Sequence, residues 1–244
     1  MRFHFTEDQL LLRDTVHGFL QAECTAERIR ALWETETGRS PEFWSSLAEV
    51  GMPGLLVPQE YDGMGMDEID LVLLLEETGR VGLAEPVIST AAVGVPLLCG
   101  LGSKQLRERW LPGVAAGEVL LAVEHAASPF VSDAHVSDLL LLAHQDEIHA
   151  VPREEAALTH QPSNDPSERV FSVEWKPVAE TLAARGEQAL KLQTAALDRG
   201  ALGCAAQQLG VAQRLVEMTV EYACQRKQFG KPIGSFQAIK HMLA

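Results

Sequence analysis

The sequence predicts a mainly α-helical protein with a small β domain in its middle. Three observations carry this. The first third holds capped, amphipathic helical patterns. Short apolar runs and one alternating run, separated by turn residues, fall roughly between Gly117 and Pro177. A helical pattern without proline then runs from Glu187 to Ala223.

Thr6-Glu7-Asp8-Gln9 has the form of a capping box, and Phe5 and Leu10 flank it at hydrophobic-staple spacing. Leu12, Val16, Phe19 and Leu20 then form a helical stripe. A second helix is expected from Ser40-Pro41, a cap followed by proline at the first helical position. It turns Phe43, Trp44, Leu47 and Val50 inward and stops at Gly51. Tyr61 to Gly65 is a turn, and Asp67 caps a helix through Leu71 to about Thr78. A short helix from Ser103 to Leu111 is expected to close at Pro112-Gly113. Val119–Val123, Leu139–Ala143 and Ile148–Val151 read as strands. Arg169–Trp175 reads as another, with Phe171, Val173 and Trp175 on one face. Thr159 to Ser167, rich in Pro, Ser, Asn and Asp, reads as a loop.

In the long helix, Leu190, Leu197, Ala201, Ala205, Leu209, Ala212, Val216 and Val220 share one face. Gly230 and Pro232 punctuate a following loop. Ser235 is placed to cap a last helix beginning at Phe236. That helix reaches Ala244 with no stop signal, so the bundle it opens is expected to be incomplete within these residues.

Lys and Arg number 20 against 34 Asp and Glu, a net charge of −14, which excludes nucleic acid or an anionic membrane as the main partner. Hydrophobic residues at 46% and charged residues at 22% exclude a disordered chain. Apolar runs such as Leu71–Leu75 fall far short of the ~20 residues that span a bilayer. The four cysteines form no CxxC pair, as expected of reduced thiols in a cytoplasmic protein. The eight histidines are scattered; His125 and His135 have no third ligand near them, so no metal site is expected. There is no GxGxxG, Walker A loop, HExxH or GxSxG. Gly63-Met64-Gly65 lacks the third glycine and the preceding strand of a dinucleotide fold. The adjacent Glu76 and Glu77 point to different helix faces, unlike a catalytic pair.

One stretch stands apart. From Tyr222 to Ala244 there are four basic residues, Arg226, Lys227, Lys231 and Lys240, and no acidic one. The charges fit either a solvated basic face or capture of an anionic ligand, for which Arg226 suits a phosphate.

The string Tyr222-Ala223-Cys224-Gln225-Arg226-Lys227-Gln228-Phe229-Gly230-Lys231-Pro232-Ile233, followed by Phe236-Gln237, closely resembles the signature of the acyl-CoA dehydrogenase family. The opening Phe5-Thr6-Glu7-Asp8-Gln9, the segment Gly54 to Met66 and the segment Leu111 to Glu118 resemble other family elements in the same order. The resemblance implies a helical N-terminal domain (1–116), a β domain (117–178) and the start of a C-terminal helical bundle (179–244). It implies FAD between β domain and bundle, gripped in part by a neighbouring subunit. The family's Arg-x-Gln and Phe-Gln elements fall on Arg226, Gln228, Phe236 and Gln237.

Three departures accompany it. The family's Thr-Glu-Pro…Gly-Ser-Asp string, which contacts flavin and acyl-CoA, aligns with Ala127 to Asp133. It keeps only Pro129 and the Ser132-Asp133 pair, so Ser132 carries over as a cofactor contact. The family's Trp-containing strand over the flavin has no counterpart, and the β domain looks shortened. The family's catalytic glutamate is not found. Its alternative position, ten residues before the glycine matched by Gly210, is Gly200, and Asp198 is the only nearby substitute.

The implied function is that of an acyl-CoA dehydrogenase-like flavoprotein subunit, oxidising an acyl-CoA thioester to the 2-enoyl-CoA with FAD. Two alternatives stand beside it. One is a non-catalytic partner subunit that supplies part of the FAD site to another chain. The other is an oxidase or monooxygenase using reduced flavin and oxygen. A homo- or hetero-oligomer is expected; the sequence does not give the acyl group, and the resemblance implies a fatty acyl or a bulky acyl such as a sterol side chain.

Overall fold

The computed structural model describes residues 4–125 and 128–244. Helix α1 (Glu7–Glu23) opens on the expected reciprocal cap, Thr6 and Gln9 each binding the other's backbone N–H, and buries Val16 and Leu20 completely. Helix α2 (Ala26–Trp33), capped by Thr25, was not expected. It has no fully buried residue, so its sequence carries no clear apolar stripe. Helix α3 (Pro41–Glu49) starts at the Ser40 cap and buries Phe43, Trp44 and Leu47, while Gly51 at φ +83° turns the chain out of it. In the turn before the next helix, a Cβ on Gly63 would overlap the Val57 carbonyl.

Helix α4 (Glu68–Val81) has the Asp67 cap and runs three residues past the expected end, to Gly82 in the left-handed region. A π-helical segment, Ile88–Gly94, leads directly into α5 (Val95–Gly100). Pro96 lacks the N–H that would close the preceding turn, a setting in which the helix widens. Helix α6 (Lys104–Ala115) corrects the expected stop at Pro112: the proline lies inside the helix, which continues until Gly117 at φ +74°. Burial of Leu111 and Val114 on one face outweighs the one hydrogen bond lost at the proline.

The strands follow as β1 (Leu121–Val123), β2 (Val131–Ser132), β3 (Leu139–His144), β4 (Glu147–Pro152), β5 (Ala157–Gln161), β6 (Val170–Glu174) and β7 (Leu182–Arg185). They form two sheets, ordered β1-β3-β4-β7 and β2-β6-β5. The expected loop over 159–167 is corrected: its first three residues belong to β5, which pairs from Ala157↔Glu174 to Gln161↔Val170. As an edge strand β5 faces water, so its polar sequence conceals it. The run Leu139–Leu142 is apolar throughout because both faces of β3 are covered. Leu139 and Leu141 join the helical core, and Leu140 and Leu142 pack toward Val131 and Phe171 of the second sheet.

Helix α7 spans Gly186–Gln225, 40 residues or roughly 60 Å. The shared apolar face of this helix is not the one that packs on α4. Leu190, Leu209 and Val216 are exposed, whereas Ala189, Ala196, Gly203 and Gly210, seven residues apart, point inward with Ala206. A Cβ on Gly79 of α4 would overlap the Gln207 carbonyl, and one on Gly210 would overlap the Glu76 carbonyl. Small residues thus let α4 and α7 touch backbone to backbone. The crossing is locked by Arg80–Glu217 and Arg199–Glu68, each at 2.7 Å.

The expected loop around Gly230 and Pro232 is a small hairpin, β8 (Lys227–Gln228) and β9 (Lys231–Pro232), turned by Phe229 and Gly230, both at positive φ. Helix α8 (Gln237–Leu243) is not capped by Ser235, whose hydroxyl instead donates to the Pro232 carbonyl at 2.7 Å.

Candidate functional site

A cavity of about 580 Å³ opens between the segment Leu83–Ser89, the β domain and the middle of α7. Its position follows from local rules. Gly82 ends α4 in the left-handed region and sends Leu83 to Pro86 across the cavity wall. Asp133, also left-handed at φ 58°, follows β2 and turns the chain at the same wall. Leu83, Val123, Phe130 and Leu197 give the cavity apolar surface.

Three charged side chains are buried in that wall: Arg39, Glu85 and Asp133. Arg39 Nη2 lies 2.6 Å from Asp133 Oδ1, and Arg39 Nη1 donates to the Ser167 carbonyl at 2.8 Å. The backbone N–H of Ser40, the α3 cap, donates to Glu85 Oε1 at 3.1 Å. Burial pushes the Glu85 carboxyl up to about 7, against the pull of the Ser40 N–H and Arg39. Burial likewise pushes Asp133 up to about 6, the Arg39 guanidinium limiting the rise. Burial lowers the His125 imidazole, which keeps it neutral in the cavity.

The sequence-predicted residues divide into two groups. Ser132 lines the cavity. Gly200 also lines it, and a Cβ there would lie 3.4 Å from His125 Cε1, so the position faces the cavity but carries no side chain. Asp198 is exposed and does not line the cavity. Ala127 lies outside the described residues.

Arg226, Gln228, Phe236 and Gln237 sit at the other end of α7, on the hairpin and the start of α8. Arg226, Gln228 and Gln237 are exposed and Phe236 is half-buried. Lys231 Nζ stands 4.5 Å above the Phe236 ring, and Phe229, 92% exposed, meets that ring edge-on. The Arg226 guanidinium makes no hydrogen bond or ion pair among the described residues. From Gly200 to Arg226 the helix rises roughly 40 Å at 1.5 Å per residue. The structure therefore brings Ser132 and Gly200 together and holds the four hairpin residues apart from them.

The model of the acyl-CoA dehydrogenase N-terminal domain matches residues 6–118, and that of the C-terminal domain matches residues 190–244. The acyl-CoA dehydrogenase IpdE2 of Mycolicibacterium smegmatis is 33% identical over 98% of this chain and 72% of its own length. The chain belongs to the acyl-CoA dehydrogenase family. Among solved structures of the family's fold, the ChsE4–ChsE5 complex of Mycobacterium tuberculosis superimposes with a TM-score of 0.85 at 26% identity, covering 100% of this chain and 74% of that one. A Tcur3481–Tcur3483 steroid ACAD gives a TM-score of 0.82 at 25% identity, covering 97% and 72%.

Within this family member, sequence reasoning missed Arg39 and Glu85. Glu85 leaves one signal, a single acid inside the apolar run Leu83-Ala84-Glu85-Pro86-Val87. Arg39 leaves none, since it precedes a helix cap like many solvated arginines. Among the described residues no group of three His, Cys, Asp or Glu is placed to hold a metal, and no helix is long and apolar enough to cross a membrane.

Proposed function

We propose that this chain is one subunit of a heteromeric acyl-CoA dehydrogenase and supplies half of an FAD site to a related subunit. The observation that carries the reading is the separation just described. The cavity with Ser132 faces the middle of the 40-residue helix and the hairpin residues follow its C-terminal end, roughly 40 Å away by the rise from Gly200 to Arg226, too far apart to serve one dinucleotide from one chain. Each group fits a different part of the cofactor. The cavity, about 580 Å³ and largely apolar, falls within the ~300–1,000 Å³ of single-ligand pockets and suits a flat ring with part of an acyl chain. The unpaired Arg226 guanidinium suits a pyrophosphate, Gln228 and Gln237 offer polar contacts, and Phe236 offers a face to pack on.

Bound FAD supplies the electron-pair acceptor for α,β-dehydrogenation of an acyl-CoA thioester. The chain's own residues bind, orient and exclude water. Neither sequence-predicted position takes the α-proton: Gly200 has no side chain, and Asp198 faces solvent. The reading therefore assigns the base to a residue outside those described. Similarity to a steroid ACAD and to the two-component ChsE4–ChsE5 complex supports a bulky acyl group and a second, related chain.

Flavin absorbance tests the shared site. The chain purified alone is expected to hold no stoichiometric FAD and not to reduce dye with octanoyl-CoA. Co-expression with its related subunit is expected to yield a yellow complex. Tight stoichiometric FAD on the chain alone, or robust dye reduction by it, would overturn the reading.

A further inference from the structure

The wall of the cavity has a seam where two chain segments meet. One is the end of α2 with its connector to α3, residues 33–40. The other is the loop between β5 and β6, residues 162–169. Arg39 of the connector and Asp165, Ser167 and Glu168 of the loop line the cavity. Asp165 and Glu168 are exposed as well, so the seam lies at the rim.

Hydrogen bonds close it. Trp33 Nε1 donates to Ser167 Oγ at 2.6 Å, Arg39 Nη1 to the Ser167 carbonyl at 2.8 Å, and Arg169 Nη2 to the Trp33 carbonyl at 3.1 Å. Arg169 Nη1 also donates to the Pro166 carbonyl, so one guanidinium ties the loop's own turn to the end of α2. Gly38, at φ +67°, makes room for that guanidinium: a Cβ there would stand 3.1 Å from Arg169 Nε.

Neither side of the seam has a core of its own. Helix α2 has no buried residue, and a helix of 8 residues is marginal without tertiary support. Every loop residue except Ser167 and Arg169 is exposed. Segments with few buried apolar contacts open at a small fraction of the global free energy. The elements behind them are anchored, α3 through Phe43, Trp44 and Leu47 and β6 through Phe171. The seam can therefore part while the other walls stay in place. Trp33–Ser167 is suited to control it. This bond joins two neutral side chains across the rim, and its loss leaves the buried Arg39–Asp133 pair intact.

We propose that the seam is the entrance to the cavity and that Trp33–Ser167 is its latch. Parting of connector and loop admits the ligand, and reclosing shields it from water. The part of the ligand that crosses the rim is apolar and uncharged. Leu83, Val123, Phe130 and Leu197 receive it inside, and Asp165 and Glu168 disfavour an anion at the mouth. The inference concerns entry to the cavity and does not rest on the acyl-CoA reading.

Nile red, a flat, uncharged dye that fluoresces in apolar surroundings, tests the entrance by stopped flow in the protein as it purifies, freed of flavin. Gly200→Leu puts a side chain into the cavity and so identifies the cavity's share of the signal, since dye on exposed helix faces persists in that variant. Loss of one neutral hydrogen bond should raise the open fraction about fivefold. In Trp33→Phe and in Ser167→Ala the dye is expected to enter and leave the cavity about fivefold faster, with affinity within about twofold of wild type. The double variant should match the singles, because both remove the same bond, and Ser167→Thr, which keeps the hydroxyl, should match wild type. Hydrogen exchange should quicken by the same factor for the amides of α2, Ser167 and Glu168, and stay unchanged in α3 and β6. Wild-type entry rates in both latch variants, faster exchange on one side of the seam alone, or the lack of any dye signal that Gly200→Leu removes would overturn the proposal. Flavin content, which decides the shared-site reading, is a separate measurement, so the two can fail independently.

Discussion

The Arg226 side chain has no partner among the described residues. The residue follows α7 directly, exposed, beside Lys227 and accepting the Ile233 N–H on its carbonyl, at the base of a hairpin that also carries Lys231 and whose tip is the bare ring of Phe229. A hydrogen bond between such a guanidinium and a pyrophosphate is worth roughly 1.5–3 kcal/mol. Arg226→Ala should therefore weaken FAD retention by the complex about tenfold or more, since about 1.4 kcal/mol is a factor of ten. Arg28 offers the control. Its guanidinium lies 4.4 Å over the Phe43 ring and 3.1 Å from Glu23, engaged within the N-terminal helices. Arg28→Ala should leave FAD retention unchanged. Titrating FAD into the apo-complexes decides it, and equal affinity for wild type and Arg226→Ala sinks the assignment. The two kinds of polar residue differ in legibility for a physical reason. The hairpin cations stand out in the sequence because they lie together in a stretch without acids. Arg39, Glu85 and Asp133 come from three distant segments and meet only in the fold, so no local pattern announces that they form one cluster.

At the scale of elements, the α4–α7 crossing turns on glycine. A methyl on Gly210 would collide with the Glu76 carbonyl, a backbone atom that cannot swing aside. Gly210→Ala is expected to cost about 3 kcal/mol, at the upper end of overpacking penalties, by forcing the helices apart. Gly18 on α1 gives the contrast: a Cβ there meets nothing within 4 Å, so Gly18→Ala should be neutral or stabilise by up to about 1 kcal/mol through helix propensity. Chemical denaturation of the two variants checks both signs, and an unshifted midpoint for Gly210→Ala would refute the close-approach account. Helix starts were the most legible elements. Thr6, Ser40, Asp67 and Ser103 all accept the backbone hydrogen bonds their positions predicted. Helix faces were less so. Periodicity marks the larger apolar residues of α7, but the close crossing on α4 uses small ones, so the apolar stripe points outward and the packed face does not show in the pattern. β2, of two residues, and β5, polar and at an edge, carry too little apolar pattern to show.

The outward stripe has a consequence for the whole molecule. Leu190, Leu202, Leu209, Leu215, Val216 and Val220 are all more than 40% exposed along one helix. At about 100° per residue Leu202, Leu209, Val216 and Val220 fall within about 40° of one another, with Leu190 and Leu215 on the adjacent face, and so many exposed apolar side chains on one helix mark a covered surface. Net charge then bears on what covers it. Two copies of a chain carrying −14 repel one another. Covering by a related subunit thus fits both the apolar row and the divided cofactor residues. The double substitution Leu209→Glu and Leu215→Glu changes only solvent-exposed positions, at 58% and 57%, and keeps good helix formers. It should leave far-UV circular dichroism intact and abolish assembly with the related subunit. Wild-type chain without that subunit is expected to self-associate weakly, and more at high salt, where screening shortens the reach of the repulsion to about 3 Å at 1 M. Light scattering at micromolar concentration reads both effects. A monodisperse wild-type monomer at every salt concentration, or full assembly by the double variant, would show that the stripe is not the interface.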